Sequence, residues 1–320
     1  MDIYWVILFI SLVSLLIERL VRKLKINNFN QRYVVVTGCD TGFGNMLAKR
    51  LDAMQFHVFA GCFTSKAVTQ LTEECSQNMT AIQVDVSKDA SIEQMLETVK
   101  RKLPKDKGLW AVVNNAGITG TAGQCTWQTR QDFETVLAVN FYGVAMVTNA
   151  FCPLIVKERG RVVNASSMMG RIAFGQATYV VSKYCVEAFS DVLRRELYRT
   201  GVKVCIVEPG AFKTGIIDPS AQLKRLENKV NSLPEEIKGK LREDYISISM
   251  ARFTKATSNA STNVNEVVDA YMHAITAKYP LKRYLVGTDA RFLMRALWML
   301  PECASDFIIN KLIGKDINKE

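Results

Sequence analysis

Histidine is nearly missing: among 320 residues only His57 and His273 occur. A Ser-His-Asp triad or a multi-histidine metal centre is thereby nearly excluded, and no metal is expected. His57 reads as the first residue of a strand and His273 as a helix residue. No C-x-x-C pair exists, and the eight cysteines are scattered from Cys39 to Cys303. They read as small buried hydrophobes of a reducing compartment rather than as four disulfides. No dense Lys/Arg run is interleaved with aromatics, so nucleic acid is not expected as a partner. The net charge of +10 then points to an anionic cofactor or an anionic membrane surface.

The chain is 48% hydrophobic, enough for one large α/β domain. It opens with the uncharged run Ile3 to Ile17, followed by Glu18, Arg19, Arg22, Lys23 and Lys25. A spanning helix needs about 20 residues; continuing through Leu20 and Val21, with Arg19 snorkelling, approaches that length. A cleaved signal peptide fits less well. The basic residues follow the apolar run, and no small-x-small site is evident. Residues 1–26 therefore read as an uncleaved membrane anchor with a basic flank, which keeps the remainder cytosolic.

Tyr33 to Thr37 is a buried-strand run. It feeds into Gly38-Cys39-Asp40-Thr41-Gly42-Phe43-Gly44 and then a helix from Asn45 to Met54. Glycines between a strand and a helix N-terminus let backbone N–H groups approach a pyrophosphate at the positive end of the helix dipole. A second strand, His57 to Gly61, ends where an acidic residue would hold the adenosine ribose of NAD; Cys62 stands there, with Lys66 nearby as a possible partner for a 2′-phosphate. The residues alone leave NAD and NADP both open. A third strand, Ala81 to Val84, ends in Asp85-Val86, whose carboxylate could accept from the adenine amino group. A helix follows from Ala90 to Leu103, and then a strand from Leu109 to Val113, which ends in Asn114-Asn115-Ala116-Gly117. This alternation predicts a Rossmann-type, doubly wound parallel sheet in three α/β/α layers, preceded by the apolar N-terminal helix. Ligands of such sheets lie at the carboxyl ends of the strands, where each of these motifs falls.

A helical stretch from Arg130 to Val156 carries Asn140. Strand Arg161 to Ala165 ends in Ser166-Ser167, and Tyr179 and Lys183 follow four residues apart, on one helical face. An adjacent ammonium favours a phenolate, so Lys183 is expected to lower the phenol from about 10 toward working pH and make Tyr179 a general acid/base. A final strand, Val202 to Val207, leads to Pro209, Gly210 and Thr214.

Jointly these features, T-G-x-x-x-G-x-G from Thr37, N-N-A-G from Asn114, the Asn140 helix, the Ser-Ser strand end, Y-x-x-x-K and P-G-x-x-x-T, resemble the short-chain dehydrogenase/reductase superfamily over roughly residues 31–286. The stretches Thr37 to Asp40, Lys107 to Trp110 and Lys183 to Asp191 are similar to the branch of microsomal retinol dehydrogenases, 17β-hydroxysteroid dehydrogenases and D-β-hydroxybutyrate dehydrogenase. The resemblance implies an oxidoreductase with a tetrad of Asn140, Ser167, Tyr179 and Lys183. Tyr179 would exchange the proton at the substrate oxygen and Ser167 would hydrogen-bond that oxygen. Lys183 would tune Tyr179 and hold the nicotinamide ribose, while Asn140 would position a relay water. The family's usual spacing selects Ser166; the local Gly170 anchor and strand alternation select Ser167. The dinucleotide would lie on Gly38, Asp40, Thr41, Gly42, Phe43, Gly44, Cys62, Asp85, Val86, Asn114, Ala116, Gly117, Tyr179, Lys183, Pro209, Gly210 and Thr214. NAD(H) is implied, with NADP as the alternative.

The resemblance implies that residues 215–263 form a substrate lid, with a variable surface insertion as the other reading; helices are expected around Ala221 to Asn231 and Glu235 to Tyr245, inside a dehydrogenase domain of residues 27–290. Residues 291–320 read as an apolar tail, either packed on the domain or touching a membrane. Of three N-x-S/T sequons, Asn164 falls in a core strand, and a cytosolic domain would use none. The substrate expected is a lipophilic alcohol or carbonyl, retinoid or hydroxysteroid. The alternatives are a 3-hydroxybutyrate-type acid, which would need a pocket cation such as Lys213 or Arg171, and a non-catalytic dinucleotide-binding scaffold at a membrane. Lipid contact is expected through the N-terminal segment, in the endoplasmic reticulum membrane or alternatively a mitochondrial one. Homo-oligomers are common among related enzymes.

Overall fold

The computed structural model describes residues 3–313; the outermost residues of the expected anchor, 1–2, and of the expected tail, 314–320, lie outside them. Helix α1 spans Ile3–Arg22. Then β1 (Tyr33–Thr37), α2 (Gly42–Ala53), β2 (His57–Cys62), α3 (Ser65–Glu74), β3 (Met79–Gln83), α4 (Asp89–Lys102) and β4 (Ala111–Asn114) alternate. Helices α5 (Arg130–Leu137) and α6 (Gly143–Lys157), β5 (Arg161–Ala165), α7 (Ala177–Glu196) and β6 (Lys203–Pro209) follow. The segment expected as a lid carries α8 (Pro219–Asn231), α9 (Glu235–Lys238) and α10 (Tyr245–Ser258). Helix α11 (Asn265–Thr276), β7 (Arg283–Val286), α12 (Arg295–Met299) and α13 (Glu302–Ile313) close the chain.

The strands form one parallel sheet in the order β3-β2-β1-β4-β5-β6-β7. The order reverses between β1 and β4, which opens the crevice where ligands of doubly wound sheets bind. The β-branched run of β1 is buried on both faces, as a central parallel strand requires. Alternation sends Val34 and Val36 into one core with Leu47, Leu71 and Tyr271. Val35 enters the opposite core with Met95, Phe151 and Ile155. These two cores make the three layers.

Four expectations are corrected. The sheet does not end at β6, because Arg283–Val286 adds β7. The helix from Arg130 is interrupted by a π-helical turn over Ala138–Tyr142. The second lid helix does not run from Glu235 to Tyr245: a one-turn helix stops at Lys238 and a new one starts at Tyr245. The cysteines are all free, but Cys125 and Cys303 are exposed rather than buried. His57 does open β2, and His273 lies on α11. Asn164 is buried on β5 and donates to Ser190 Oγ at 2.8 Å, which leaves no room for a glycan.

Candidate active site

The glycine loop is built from backbone needs. Gly38 has φ +70°, and a Cβ there would lie 2.6 Å from Ala116 Cα. A Cβ on Gly44 would collide with the Gly38 carbonyl. Gly42 differs: its φ is +61°, yet a Cβ there would meet nothing within 4 Å. The first turn of α2 begins at Gly42, where a helix leaves N–H groups without intrahelical partners, and Gly42 borders open space, which fits a pyrophosphate. Phe43 packs edge-on against Phe212, with centroids 5.9 Å apart.

The loop is stitched to β4 by Thr37 and Asn115. Thr37 Oγ1 accepts from the Asn115 and Ala116 N–H groups at 3.1 and 3.2 Å. Asn115 Nδ2 donates to the Thr37 and Gly38 carbonyls, both at 3.1 Å. Asn115 is not among the cofactor residues that the resemblance implies, although it stands inside N-N-A-G.

Two expected cofactor contacts turn inward. The Asn114 amide donates to Thr148 Oγ1 and Asn164 Oδ1, both at 2.8 Å, and ties β4 to β5 and α6. Cys62 is fully buried, with its thiol pushed up to about 12 by burial and by the nearby Asp40 charge. Both side chains are buried, so a dinucleotide would meet the backbone at these two positions. Asp85 Oδ1 caps its own turn, accepting from the Ser87 N–H and Oγ at 2.9 and 2.7 Å. Val86 packs over Gly143.

The carboxylate that sequence reading sought after β2 arrives from the glycine loop. Asp40 accepts from the Phe63 N–H at 2.7 Å and from the Thr64 N–H and Oγ1, each at 2.8 Å. A negative charge is therefore fixed at the end of β2, where the adenosine ribose would lie.

Around the catalytic residues, β5 and α7 supply most of the geometry. Ser167 Oγ accepts from the Met169 N–H at 3.2 Å and is hydrogen-bonded to Tyr179. Ser166 points the other way, against Gly170 and Glu187. Lys183 is buried and donates to the Ala165 carbonyl at 2.9 Å. The π-turn swings Asn140 inward. Its Oδ1 accepts from the Ile118 N–H at 2.8 Å, and its Nδ2 donates to the Ile118 carbonyl and to Ser182 Oγ, both at 2.9 Å. Such turns often mark functional sites. Ser182, another residue not foreseen, passes the contact on to the Tyr179 carbonyl at 2.7 Å. Gly117 leaves its Cα bare toward Asn140 Oδ1 and Lys183 Nζ.

Burial raises the Tyr179 phenol above its ordinary value, and the Ser167 bond offsets only part of that. The expected lowering by Lys183 is therefore not what this geometry gives. The ammonium lies 5.6 Å from the ring centroid and is engaged by Ala165. Burial lowers Lys183 itself to about 8, against the pull of the Glu187 charge.

Beyond β6, the Gly210 N–H donates to the Val286 carbonyl at 2.8 Å. Asp289 accepts from the Ala211 N–H at 2.7 Å, and a Cβ on Gly210 would collide with its carboxylate. The loop through Pro209, Gly210 and Thr214 is thus held against the strand β7 that sequence reading missed. The segment expected as a lid shares a small apolar core with the domain, in which Leu226, Leu233 and Tyr245 pack with Ala122 and Trp127. It is fastened by Lys229 to Asp132 at 2.6 Å and by Gln176 to Gln222 at 2.9 Å.

A family model described as short chain dehydrogenase matches residues 32–225. The chain is 41% identical to 17-beta-hydroxysteroid dehydrogenase type 6 of Homo sapiens over 286 residues, 89% of this chain and 90% of that one. It is likewise 41% identical to retinol dehydrogenase 7 of Rattus norvegicus over 296 residues, 91% of this chain and 92% of the relative. A short chain dehydrogenase/reductase from Burkholderia phymatum, solved in complex with NAD, superposes with a TM-score of 0.68 at 19% identity, covering 84% of this chain and 94% of that one. A Burkholderia cenocepacia short chain dehydrogenase in complex with NADP superposes at 0.66 and 18% identity, covering 87% and 98%. At such identities these structures speak for the fold alone.

Proposed function

The chain belongs to the short chain dehydrogenases, and on that premise we propose that it exchanges hydride between NAD(H) and a lipophilic alcohol or its carbonyl, a retinoid or a hydroxysteroid, at a membrane. The observation that carries the reading is the convergence of Ser167, Tyr179, Lys183 and Asn140 at the carboxyl ends of β4 and β5. A nicotinamide dinucleotide, when bound, supplies or takes the hydride. The chain supplies position and a proton. Ser167, fixed by the Met169 N–H, donates to the substrate oxygen. Tyr179 gives its phenolic proton to that oxygen in reduction and takes it back in oxidation. Because burial keeps the phenol protonated at neutral pH, it is poised as the acid for a carbonyl. Lys183 offers a positive charge to the ribose hydroxyls, and Asn140 lies beside it on the relay side.

Asp40 favours NAD. A 2′-phosphate at the end of β2 would face a carboxylate already fixed by three donors, and like charges that close repel. The lipophilic substrate is supported by the relatives named as hydroxysteroid and retinol dehydrogenases. A hydroxy acid would need a cation near Tyr179. Of the two candidates, Arg171 faces Glu208 and stacks on Trp298, and Lys213 is exposed. Membrane attachment rests on α1, whose described side chains are mostly exposed from Tyr4 to Leu20. We read residues 1–26 as the anchor, placed in the endoplasmic reticulum with the domain cytosolic, residues 27–290 as the dehydrogenase domain and 291–320 as the tail.

The test uses full-length protein in membranes, with all-trans-retinol, androstane diols and D-3-hydroxybutyrate as substrates and NADH or NADPH absorbance as readout. Tyr179→Phe should cut turnover about a thousandfold while NADH still binds. Turnover of hydroxybutyrate alone, or turnover that survives the substitution, would overturn the reading.

A further inference from the structure

A cavity of about 430 Å3 lies beside β7 and α7, lined by Arg22, Arg171, Asp191, Arg194, Lys282 and Arg283 among others. Its charges do not cancel. Arg283 is committed to Glu187, Asp191 and Glu208. Arg171 lies 3.6 Å from Glu208, Arg194 meets Asp191 at 3.2 Å, and Arg22 pairs with Glu18. Five cations thus face four carboxylates, and Lys282 has no ion pair among the described residues.

The cleft lies between two apolar elements. On one side, α1 ends at it. The Arg22 carbonyl meets His273 Nε2 at 2.9 Å, the Lys278 N–H donates to Leu24 at 2.8 Å, and the Ile26 N–H donates to Thr276 at 2.8 Å. On the other side, the Arg171 guanidinium lies 4.3 Å from the Trp298 ring centroid. Trp298 belongs to a C-terminal run that leaves Phe292 73%, Met299 71% and Phe307 68% exposed.

We infer that this cleft seats the phosphate-bearing headgroup of an anionic membrane lipid, with the acyl chains running along α1 and the C-terminal apolar face. The inference rests on the reading of α1 as a membrane helix. A cationic cleft at the foot of such a helix sits where anionic headgroups concentrate, and guanidinium groups bind phosphate well. A second copy of the chain fits less well, since paired clefts would bring like charge together.

The full chain is incorporated into nanodiscs of equal parts phosphatidylcholine and phosphatidylglycerol and released in mild detergent. Lipids retained on it are then weighed by native mass spectrometry. The anionic lipid should be retained about tenfold over phosphatidylcholine. The preference should vanish in Arg194→Gln/Lys282→Gln and return in Arg194→Lys/Lys282→Arg, with NADH affinity unchanged in both as the check on folding. Equal retention by wild type, or a preference unchanged in the Gln variant, would overturn the inference. Displacement of the lipid by inorganic phosphate alone would make free phosphate the ligand, and cross-linking of the 279–283 segments of two chains would give the cleft to a second copy. A chain that never enters the nanodisc would instead sink the membrane reading.

Discussion

Thr37 and Asn115 lace β1 to β4 beneath the glycine loop through buried groups and backbone partners, whereas the expected lid of α8 to α10 meets the domain mainly through side chains: the Lys229–Asp132 ion pair, the Gln176–Gln222 amide pair and an apolar cluster shared with Ala122 and Trp127. The contrast follows from what each side must recognise. A pyrophosphate is met by backbone N–H groups, whose positions only the whole fold can set. An apolar substrate is met by side chains, which can change without disturbing the sheet. A relative with another substrate can therefore keep the cradle and replace the lid.

Breaking the cradle should do the most damage. Gly38→Ala adds a Cβ 2.6 Å from Ala116 Cα at a φ of +70°. Strain and clash together should cost about 3 kcal/mol. NADH affinity, followed by fluorescence titration, should fall at least about a hundredfold. Near-normal binding would mean that the loop is far more plastic than its contacts indicate.

The matching cut in the lid is Lys229→Ala. Burial opposes ionisation of Asp132, yet hydrogen bonds from Lys229, Thr129 and Thr121 win and hold its carboxyl well below the usual range. Removing Lys229 takes away the facing charge but leaves the carboxylate its Thr129 and Thr121 donors, at about 1 kcal/mol. The effect should stay local, with substrate KM up about tenfold and NADH affinity unchanged. Loss of NADH affinity would show that lid and cradle are one unit.

This division also marks what was legible in the sequence. Glycines after β1, Y-x-x-x-K and N-N-A-G were readable because their chemistry demands particular residues at short spacing. The role of Asp40 was not, because its partners Phe63 and Thr64 come from the next strand end and meet it only once β1 and β2 pair. Strand alternation separates Ser166 from Ser167, and the two side chains do face opposite ways. The turn at Ala138–Tyr142 leaves no compositional mark, since i→i+5 bonding changes no residue type. Strand β7 is four residues with only alternate burial, too little pattern to separate from a loop.

A smaller change at the cradle's rim sharpens the cofactor assignment. Asp40→Asn can still accept from Phe63 or Thr64 but carries no charge. The proposed preference for NADH over NADPH, measured as a ratio of kcat/KM values, should narrow about tenfold. An unaltered ratio would remove Asp40 from cofactor choice.

The smallest expected effect is a pH dependence that joins the cradle to the catalytic wall. Burial holds Lys183 at about 8, so the ammonium loses its proton as pH rises through that value. Below it the charge is present and attracts an anionic dinucleotide; above it the attraction fades. Dissociation constants for NADH should therefore rise a few-fold, about threefold, between pH 7 and 9. Lys183→Arg keeps its charge throughout and should flatten the profile even if turnover falls. A wild-type profile that is flat over the same range would mean that Lys183 stays charged beside Ala165, and that its burial is relieved by groups that the bound dinucleotide does not displace.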